Sequence, residues 1–406
     1  MRTTTMNSWA AAVANLQRRQ TEMNDAQERL TSGLRVMRAS DDPTAAARAE
    51  RARALMQRTE STERAVDASR NAMTLTESAL ADAGELLQQA RELVVAAGNA
   101  SYSEAERQDV ANQLAEIRKQ LMGVANRSNG AGGYVFSGQG SAVPPFLDGG
   151  GGVTYEGSGG TVRVASEEPL PLTLNGGEVW MSAPTGNGQF ETQVRSPNSG
   201  GAWIDAGRVT DPSALTGAGY AISFSVSGGV TTYSVTRDDG VTTDADGNPL
   251  PSGAAFTAGQ AIEVDGMAVI VSGAPADGDT FGMVDSEPTL DVFSVLDGLV
   301  AQLGDPSQTS AEVSQTVQTG LRDIDRLTDH LQGARSMTGE VLNRIEGIQG
   351  RLDDMQLYGE NTRSDAEDLD TIQAISDFKN QQTGYEAALA TYSTVQRLSL
   401  FDYIKT

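Results

Sequence analysis

The stretch "RLTSGLRVMRASDDPTAAARAER", residues 29–51, ends one helical pattern and begins another. Gly33 can end the first helix, because glycine adopts the left-handed conformation of a helix C-terminus without steric cost. Asp42 is a favoured N-cap residue, and Pro43 is favoured at the first position of a helix. The stretch therefore predicts two helices joined by a bent connector over residues 33–41. What this connector separates depends on the two ends of the chain.

Charged residues lie in and beside this connector. Asp41 and Asp42 place negative charge at the N-terminus of the second helix, where the helix dipole favours it. Arg35 and Arg38 are candidate contacts to a neighbouring subunit, although a solvated surface arginine is the commoner role. The candidate connector residues are therefore Gly33, Arg35, Asp41, Asp42 and Pro43.

Each end of the chain carries the heptad pattern of an amphipathic coiled-coil helix. Apolar residues and glutamines recur at spacings of three and four residues, as at the core positions of a coiled coil. In the first segment these residues are Trp9, Val13, Leu16, Gln20, Met23, Gln27 and Leu30, and in the last they are Ile375, Phe378, Gln382, Tyr385, Leu389, Tyr392 and Gln396. The two helices are predicted to pair, so that residues 1–32 and 366–406 form a terminal assembly domain.

By itself this helix pair is predicted to be marginally stable. Glutamines at core positions reduce stability while fixing register and partner, and helices gain most of their stability from packing. We expect the terminal segments to order when neighbouring subunits cover the remaining apolar residues. The alternative is a closed intramolecular hairpin in a monomer. The predicted assembly residues are Trp9, Val13, Leu16, Met23, Leu30, Ile375, Phe378, Tyr385, Leu389, Tyr392, Leu398 and Phe401.

Between the two ends, helical flanks surround a β-rich centre. Large and small residues alternate in heptads over residues 66–97, and apolar residues recur at spacings of four and three further along both flanks. These patterns are typical of a helical-bundle core that holds no ligand or cofactor. Residues 33–139 together with 288–365 are therefore predicted to form a helical bundle domain.

The centre reads as strands and turns. Alternating residues flank Gly228-Gly229 in "AISFSVSGGVTTYSVTRDDG" (221–240), and an Asp-Gly turn lies within "IEVDGMAVIV" (262–271), both of which are hairpin signals. Residues 140–287 are thus predicted to be a β-rich, variable outer region of one or more domains. The predicted fold class is α+β: elongated, with the N- and C-terminal helices paired as coiled coil and helical bundle, and with a β-rich central insertion.

Composition excludes several classes of function. The 406 residues carry a formal net charge of −24, which opposes binding to nucleic acid or to an anionic membrane surface. The absence of cysteine excludes disulfides and thiolate sites, and the single histidine, His330, is interpreted as a solvated helix residue. No catalytic, cofactor-binding or metal-binding residue is predicted. The chain shows neither a signal-peptide pattern nor a membrane-spanning apolar stretch, so export without a cleavable signal peptide is expected.

The two ends resemble the bacterial flagellin superfamily. "LTSGLRVMRASDDPTAAARA" (30–49) is similar to the N-terminal signature of that superfamily, and "NQQTGYEAALATYSTVQRLSLFDYI" (380–404) is similar to its C-terminal helix. Within the superfamily the hook-associated junction proteins are the nearer match, on account of Pro43, "NGAGGYVFSGQGSAVPPF" (129–146), "VTYEGSGGTVRV" (153–164) and the ending "LSLFDYI" (398–404). The resemblance covers roughly residues 1–180 and 288–406 and leaves residues 181–287 unmatched.

This resemblance implies a structural function. Such proteins are exported unfolded through the flagellar channel and form a ring that joins the hook to the filament. The implied partners are further copies of the chain in a homo-oligomeric ring, the hook-side junction protein, flagellin, and an export chaperone on the C-terminal helix; nucleic acid and membrane are not expected. The implied location is the extracellular bacterial flagellum.

Three other functions compete with this one. The chain could be a flagellin-type subunit of the filament itself. It could be an enzyme on a flagellin scaffold, but residues 181–287 have no histidine or cysteine, and carboxylate pairs such as Asp238-Asp239 and Asp277-Asp279 are interpreted as solvated turns. It could also be an adhesive or glycan-binding module. The stacking surfaces would then be Trp180, Trp203 and Tyr220, which are interpreted instead as core aromatic residues.

Overall fold

The computed structural model describes the backbone of residues 2–140, 142–160, 163–164, 169–195 and 197–404; side chains are described for the same residues except 2–8, 163–164 and 395–404. The chain divides into two compact units. The first unit combines residues 1–64 with 347–406, and the second consists of residues 65–346. The division into three domains at residues 32, 139, 287 and 365 stays a prediction.

Long helices dominate both flanks of the described chain. The helices are α1 (Arg2–Ser32), α2 (Pro43–Ala97), α3 (Glu104–Ala125), α4 (Gly176–Met181), α5 (Val292–Leu303), α6 (Ser310–Glu367) and α7 (Thr371–Ile404). The strands are β1 (Phe146–Gly149), β2 (Gly152–Tyr155), β3 (Arg163–Val164), β4 (Leu170–Pro171), β5 (Phe190–Val194), β6 (Trp203–Ile204), β7 (Arg208–Val209), β8 (Tyr220–Ser227), β9 (Val230–Arg237), β10 (Ala254–Ala255), β11 (Ala261–Val264), β12 (Met267–Ser272) and β13 (Thr280–Asp285). This order confirms the predicted α+β class, with helices at both ends and strands between them.

In the second unit, α3 and α5 pack with segments of α2 and α6 around one core. The heptad pattern of α2 is confirmed, because its large residues are at most 2% exposed: Val66, Met73, Leu80, Leu87 and Val94. α3 begins at a capping box in which Ser103 accepts the Glu106 amide and the Glu106 carboxylate accepts the Ser103 amide. The apolar segments 313–331 and 341–355 both belong to the uninterrupted helix α6.

The β-rich part of the second unit has its own core between two sheets. One sheet is antiparallel with the order β10-β9-β8-β13-β5, and the other has the order β11-β12-β6, with β7 also paired to β12. Both predicted hairpins are confirmed, since Gly228 and Gly229 join β8 to β9, and Asp265 and Gly266 join β11 to β12. The side chains that fill the core include Phe190, Ile204, Tyr220, Ile222, Val269 and Phe281.

Not all of the region predicted as an outer insertion packs with these sheets. Phe146 and Trp180 lie in the helical core, where the Trp180 ring stacks on Phe293 at a centroid distance of 6.0 Å and meets Phe136 edge-on at 5.4 Å. The strands β1 and β2 and the short helix α4 are thereby attached to the bundle rather than to the β-rich core. The aromatic contacts that attach them join residues far apart in the chain.

Side chains of α6 fasten the β-rich core to the helices through main-chain atoms. The Gln315 amide accepts the Ile204 N–H at 2.9 Å, and the buried Arg322 guanidinium donates to the Thr192 carbonyl at 2.8 Å. Arg326 donates to the Asn187 carbonyl at 2.7 Å. Arg322 also forms an ion pair with the Glu191 carboxylate at 3.3 Å, so both main-chain and side-chain groups of β5 hold this attachment.

Candidate assembly surface

The first unit brings the two ends of the chain together as a pair of helices, α1 and α7. Half-buried side chains form one stripe on each helix and recur at spacings of three and four residues. On α1 they include Ala12, Val13, Leu16, Arg19, Met23 and Ala26; on α7 they include Ala374, Phe378, Gln381, Tyr385, Ala388 and Tyr392. No side chain within the described stretches 9–32 and 371–394 is fully buried. The pair therefore covers only one side of each helix and has no closed core.

The structure places the predicted assembly residues in two groups. Half-buried on the contact stripes are Val13, Leu16, Met23, Phe378, Tyr385 and Tyr392. Exposed to solvent are Trp9, Leu30, Ile375 and Leu389, with 56%, 37%, 49% and 41% of their surface accessible. The side chains of Leu398 and Phe401 lie outside the described residues.

The contact stripe of α7 differs from the predicted seam by one residue in places. Ala374 and Ala388 occupy the stripe where Ile375 and Leu389 were predicted. Small residues allow close approach, and at Gly384 an added Cβ would lie 2.6 Å from the Arg19 guanidinium. The sequence-based prediction missed these positions because it followed the large apolar residues, whereas α1 contacts α7 at residues with small side chains.

One hydrogen bond joins the outer ends of the two helices. The Trp9 indole Nε1 donates to the Tyr392 hydroxyl at 3.1 Å, although the Trp9 ring is more than half exposed. Trp9 and Tyr392 were both predicted assembly residues, and the structure brings them together. The remaining exposed surface of Trp9 is apolar area that is available to a further contact.

The connector is built as the sequence predicts. Gly33 has φ of +71°, and its N–H donates to the Arg29 carbonyl at 2.9 Å, which closes the end of α1. The carboxylate of Asp42 accepts the backbone amides of Thr44 and Ala45 at 3.1 and 3.0 Å and so caps α2. Pro43 is the first residue of that helix.

Sequence reasoning missed that the connector pairs with a second break, between α6 and α7. The Arg35 amide donates to the Glu367 carbonyl at 2.7 Å, and the Leu369 amide donates to the Gly33 carbonyl at 2.9 Å. We call this pairing of residues 33–36 with 366–369 the clasp. Asp370 accepts the amides of Ile372 and Gln373 and so caps α7 beside it. The break between α1 and α2 therefore lies beside the break between α6 and α7.

A buried carboxylate is held at the centre of the clasp. Glu367 is 3% exposed, and its two oxygens accept from Arg53 at 2.6 Å and Arg363 at 3.1 Å. The Arg35 guanidinium donates to the Ala366 carbonyl at 2.7 Å and lies 3.4 Å from Asp42. A buried charge needs such partners, because desolvation otherwise makes it costly. The predicted connector residue Arg35 is therefore engaged within its own chain.

Both predicted aspartates bind backbone amides at the bend. The pKa of Asp42 is lowered to about 2, first by the hydrogen bond from the Ala45 amide and then by the Thr44 hydroxyl. The pKa of Asp41 is lowered chiefly by the Arg38 amide, and its carboxylate also accepts the Met37 amide. Both groups are charged at neutral pH and hold the bend before α2.

The aromatic residues considered for glycan stacking differ in their exposure. Tyr220 and Trp180 are fully buried and unavailable for stacking on a glycan, whereas Trp203 is half-buried. The described part of the chain contains no group of three or more His, Cys, Asp or Glu side chains placed to hold a metal ion. None of its helices is long and apolar enough to cross a bilayer. His330 is half-buried rather than fully solvated, with Nε2 at 2.8 Å from the Glu178 carbonyl oxygen.

Comparison with known proteins accords with this arrangement of the two ends. Residues 4–141 match the family model described as the bacterial flagellin N-terminal helical region. Over these residues the chain is similar to the bacterial flagellin family. The match covers α1, the connector, α2 and α3, which are the elements that build the N-terminal side of both helical assemblies.

Similar proteins of known name are flagellar hook-associated proteins. Flagellar hook-associated protein 3 of Salmonella typhimurium is 30% identical over 190 residues, which are 45% of this chain and 57% of that protein. The chain thus spans little more than half the length of that relative in the match. Flagellar hook-associated protein 3 of Escherichia coli K12 is 22% identical over 417 residues, covering 100% of both chains.

Solved structures of flagellar junction proteins share the fold. The crystal structure of the flagellar junction protein FlgL from Legionella pneumophila has a TM-score of 0.69 and 28% identity, covering 79% of this chain and 100% of that one. The FlgL structure from Xanthomonas campestris in space group C2 has a TM-score of 0.68 and 29% identity, covering 78% and 99%.

Proposed function

We propose that this chain is a member of the flagellin superfamily and a non-catalytic structural subunit of the bacterial flagellum, which forms the junction between hook and filament. The observation that carries the proposal is the α1–α7 pair, in which no described side chain is fully buried. Helices of this length gain their stability from packing, so the pair needs further molecules around it. A junction subunit meets that requirement, because it is surrounded by like subunits and by the parts on either side.

Four partners follow from this proposal. Further copies of the chain would form a ring, the hook-side junction protein would meet one edge of it, and flagellin would meet the other. An export chaperone would cover α7 before assembly, since an uncovered amphipathic helix suits such a partner. The protein would reach the outside of the cell through the flagellar export channel, and a chain without cysteines fits passage in an unfolded state.

Deletion of the gene tests the proposal directly. We expect bare hooks in electron micrographs and flagellin shed into the medium, because filaments would lack a base on which to grow. Hooks without filaments and without free flagellin would favour the alternative of a filament subunit, as would growth of long filaments by the purified protein. Normal motile flagella would contradict both.

A truncation separates assembly from folding. Removal of residues 399–406 shortens α7 and leaves the second unit intact, so we expect loss of incorporation with unchanged unfolding of residues 65–346. Removal of residues 228–229, at the exposed turn between β8 and β9, is the control and should leave incorporation unchanged. Normal incorporation of the shortened chain would contradict the proposed role of α7.

A further inference from the structure

Within the first unit, the start of α2 carries a basic stripe. Arg48, Arg51, Leu55 and Arg58 follow one another at spacings of three, four and three residues, which places them on one flank of the helix. The three arginines are exposed and Leu55 is half-buried. Among the described residues no carboxylate lies within ion-pair distance of Arg48, Arg51 or Arg58, although the chain as a whole has a net charge of −24.

The end of α6 carries a stripe of the opposite sign. Asp353, Leu357 and Glu360 are spaced by four and three residues and are all exposed, with 57% of the Leu357 surface accessible. No basic group of the described chain forms an ion pair with Asp353 or Glu360. Each stripe thus consists of charges around an apolar residue, and each lacks a partner within its own unit.

The helices α2 and α6 run antiparallel here, and the contacts between them show that the two stripes overlap in height. Arg53 reaches Glu367 at 2.6 Å, and further along α2 a Cβ added at Gly359 would lie 2.7 Å from Met56 Cγ. Leu55 and Arg58 are therefore level with residues near Glu360 and Leu357. Two copies standing side by side at equal height would bring these residues opposite one another.

The stripes also lie on opposite sides of the α2–α6 pair. On α2 the buried residues Ala45, Ala49 and Ala52 mark the face toward α6, and on α6 Leu352, Gly359 and Ala366 mark the face toward α2. At 100° per residue each stripe is displaced from its contact face by roughly a quarter turn or more. Because the helices are antiparallel, these displacements place the basic stripe of α2 on one side of the helix pair and the acidic stripe of α6 on the other side.

We propose that the basic stripe of one copy packs against the acidic stripe of a second copy of this chain. This inference rests on the proposed junction ring and specifies its lateral contact. A surface that meets a different surface of an identical neighbour makes a head-to-tail contact, and such contacts close into a ring when the rotation allows. Leu55 and Leu357 would form the apolar centre, and the charges around them would set the height and exclude other pairings.

Cysteine cross-linking reports this contact, because the chain has no cysteine of its own. Leu55→Cys and Leu357→Cys are introduced together into the full chain, where their opposite positions prevent an intramolecular disulfide. Mild oxidation of the concentrated protein is expected to give a ladder of disulfide-linked multimers on a non-reducing gel. Each single-cysteine variant should stop at dimers.

Charge reversal then tests complementarity in the same background. Asp353→Lys with Glu360→Lys, or Arg51→Glu with Arg58→Glu, should reduce the ladder by about tenfold or more, because like charges then face each other. The four substitutions together restore opposite signs and should restore the ladder. Asp354→Lys with Asp365→Lys is the matched control, with the same change in charge on exposed positions outside the stripe, and should leave the ladder unchanged.

The outcomes separate this inference from the proposed function. Absence of a ladder, equal loss in the control, or failure of the fourfold variant to recover would overturn the lateral contact. In the host, the acidic-stripe reversal should release flagellin and the control should not. Suppose that the deletion strain releases flagellin and that the variant with the reversed acidic stripe restores normal flagella in it. That result would overturn the stripe contact and leave the junction function standing. A deletion strain with normal flagella would overturn the function itself.

Discussion

At the scale of single residues, a few side chains decide where the helices stop. Gly33 ends α1 in a left-handed conformation, Asp42 opens α2, and Glu367 holds the two breaks together. The first two roles are local, since they depend on the backbone within four residues. Glu367 differs, because its arginine partner Arg53 is 314 positions away along the chain.

Replacement of Gly33 by alanine should destabilise the first unit. The φ of +71° is unfavourable for a residue with a Cβ, and the strain costs about 1 kcal/mol, although an added Cβ would meet no atom within 4 Å. Gly350→Ala is the matched control, because Gly350 lies inside α6 with open space around it and should gain about 0.5–1 kcal/mol. Hydrogen exchange of the first unit measures both effects: it should become faster in Gly33→Ala and slower in Gly350→Ala. Equal changes in the two variants would contradict the strain assigned to Gly33.

Neutralising Glu367 should loosen the clasp. Glu367→Gln keeps the size of the side chain but removes the charge that binds two arginines, and we expect a loss of about 1–2 kcal/mol, limited by the partial exposure of both arginines. The amides of Arg35 and Val36, which donate to the Glu367 carbonyl, should exchange faster. Asp365→Asn, an exposed change two residues away, serves as the control. Unchanged exchange in the Gln variant would mean that backbone bonds alone hold the clasp.

At the scale of elements, the helices differ in how completely they are packed. α2 has a stripe of buried residues along its heptads in the second unit, whereas α1 and α7 have only half-buried stripes in the first. The spacing of apolar residues is similar in the three helices, so their periodicity predicts a contact face in each. What the spacing leaves open is how many neighbours meet that face. α1 and α7 each meet one long helix within the chain.

The start of α2 should loosen at strongly acidic pH. The pKa of Asp42 is depressed to about 2, so its capping contribution is complete above its ordinary value near 4 and is lost as the pH falls through about 2. Hydrogen exchange at the amides of Thr44 and Ala45 should therefore rise between pH 4 and pH 2. Asp42→Asn keeps an acceptor oxygen and should flatten this dependence, whereas Asp42→Ala should show fast exchange throughout. A pH dependence that survives in the Asn variant would assign it to another group.

At the scale of the whole molecule, each unit is stabilised in a different way. The second unit contains both large hydrophobic cores, one among the helices and one between the sheets. The first unit has a small core of Val36, Ala45, Ala49 and Ala366 at the clasp and an uncovered helix pair beyond it. The second unit therefore holds the large cores, whereas the first unit holds the helix pair that the proposed assembly would cover.

A fragment of residues 65–346 should fold by itself. Both cores lie inside it, so we expect a cooperative thermal transition and a near-ultraviolet spectrum dominated by the buried Trp180. The same fragment should fail to join flagella, because it lacks α1 and α7. A fragment without fixed tertiary structure would show instead that the terminal segments contribute to the fold of the second unit.

Much of the fold was predictable because its signals are local or periodic. The helix stop at Gly33, the cap at Asp42, the heptads of α2 and the two hairpins depend on neighbouring residues, whose spacing is visible in the sequence. The candidate site was predictable only in part. Val13, Leu16 and Met23 of α1 lie on the contact stripe as the heptads indicate, whereas Ala374, Gly384 and Ala388 of α7 carry no apolar signal by which a contact could be recognised.

The sequence by itself determined the fold class, the end of α1 at Gly33, the start of α2 at Asp42 and the faces by which the helices pack, because backbone propensity, capping and hydrophobic period act over a few residues. Only the tertiary structure decided that residues 33–36 pair with 366–369 around the buried Glu367, and that Phe146 and Trp180 belong to the helical core. It also decided that the stripes of opposite charge on α2 and α6 lie at one height on opposite sides. These features join residues 20 to more than 300 positions apart, and their energy comes from burial and charge pairing that exist only once the chain has folded.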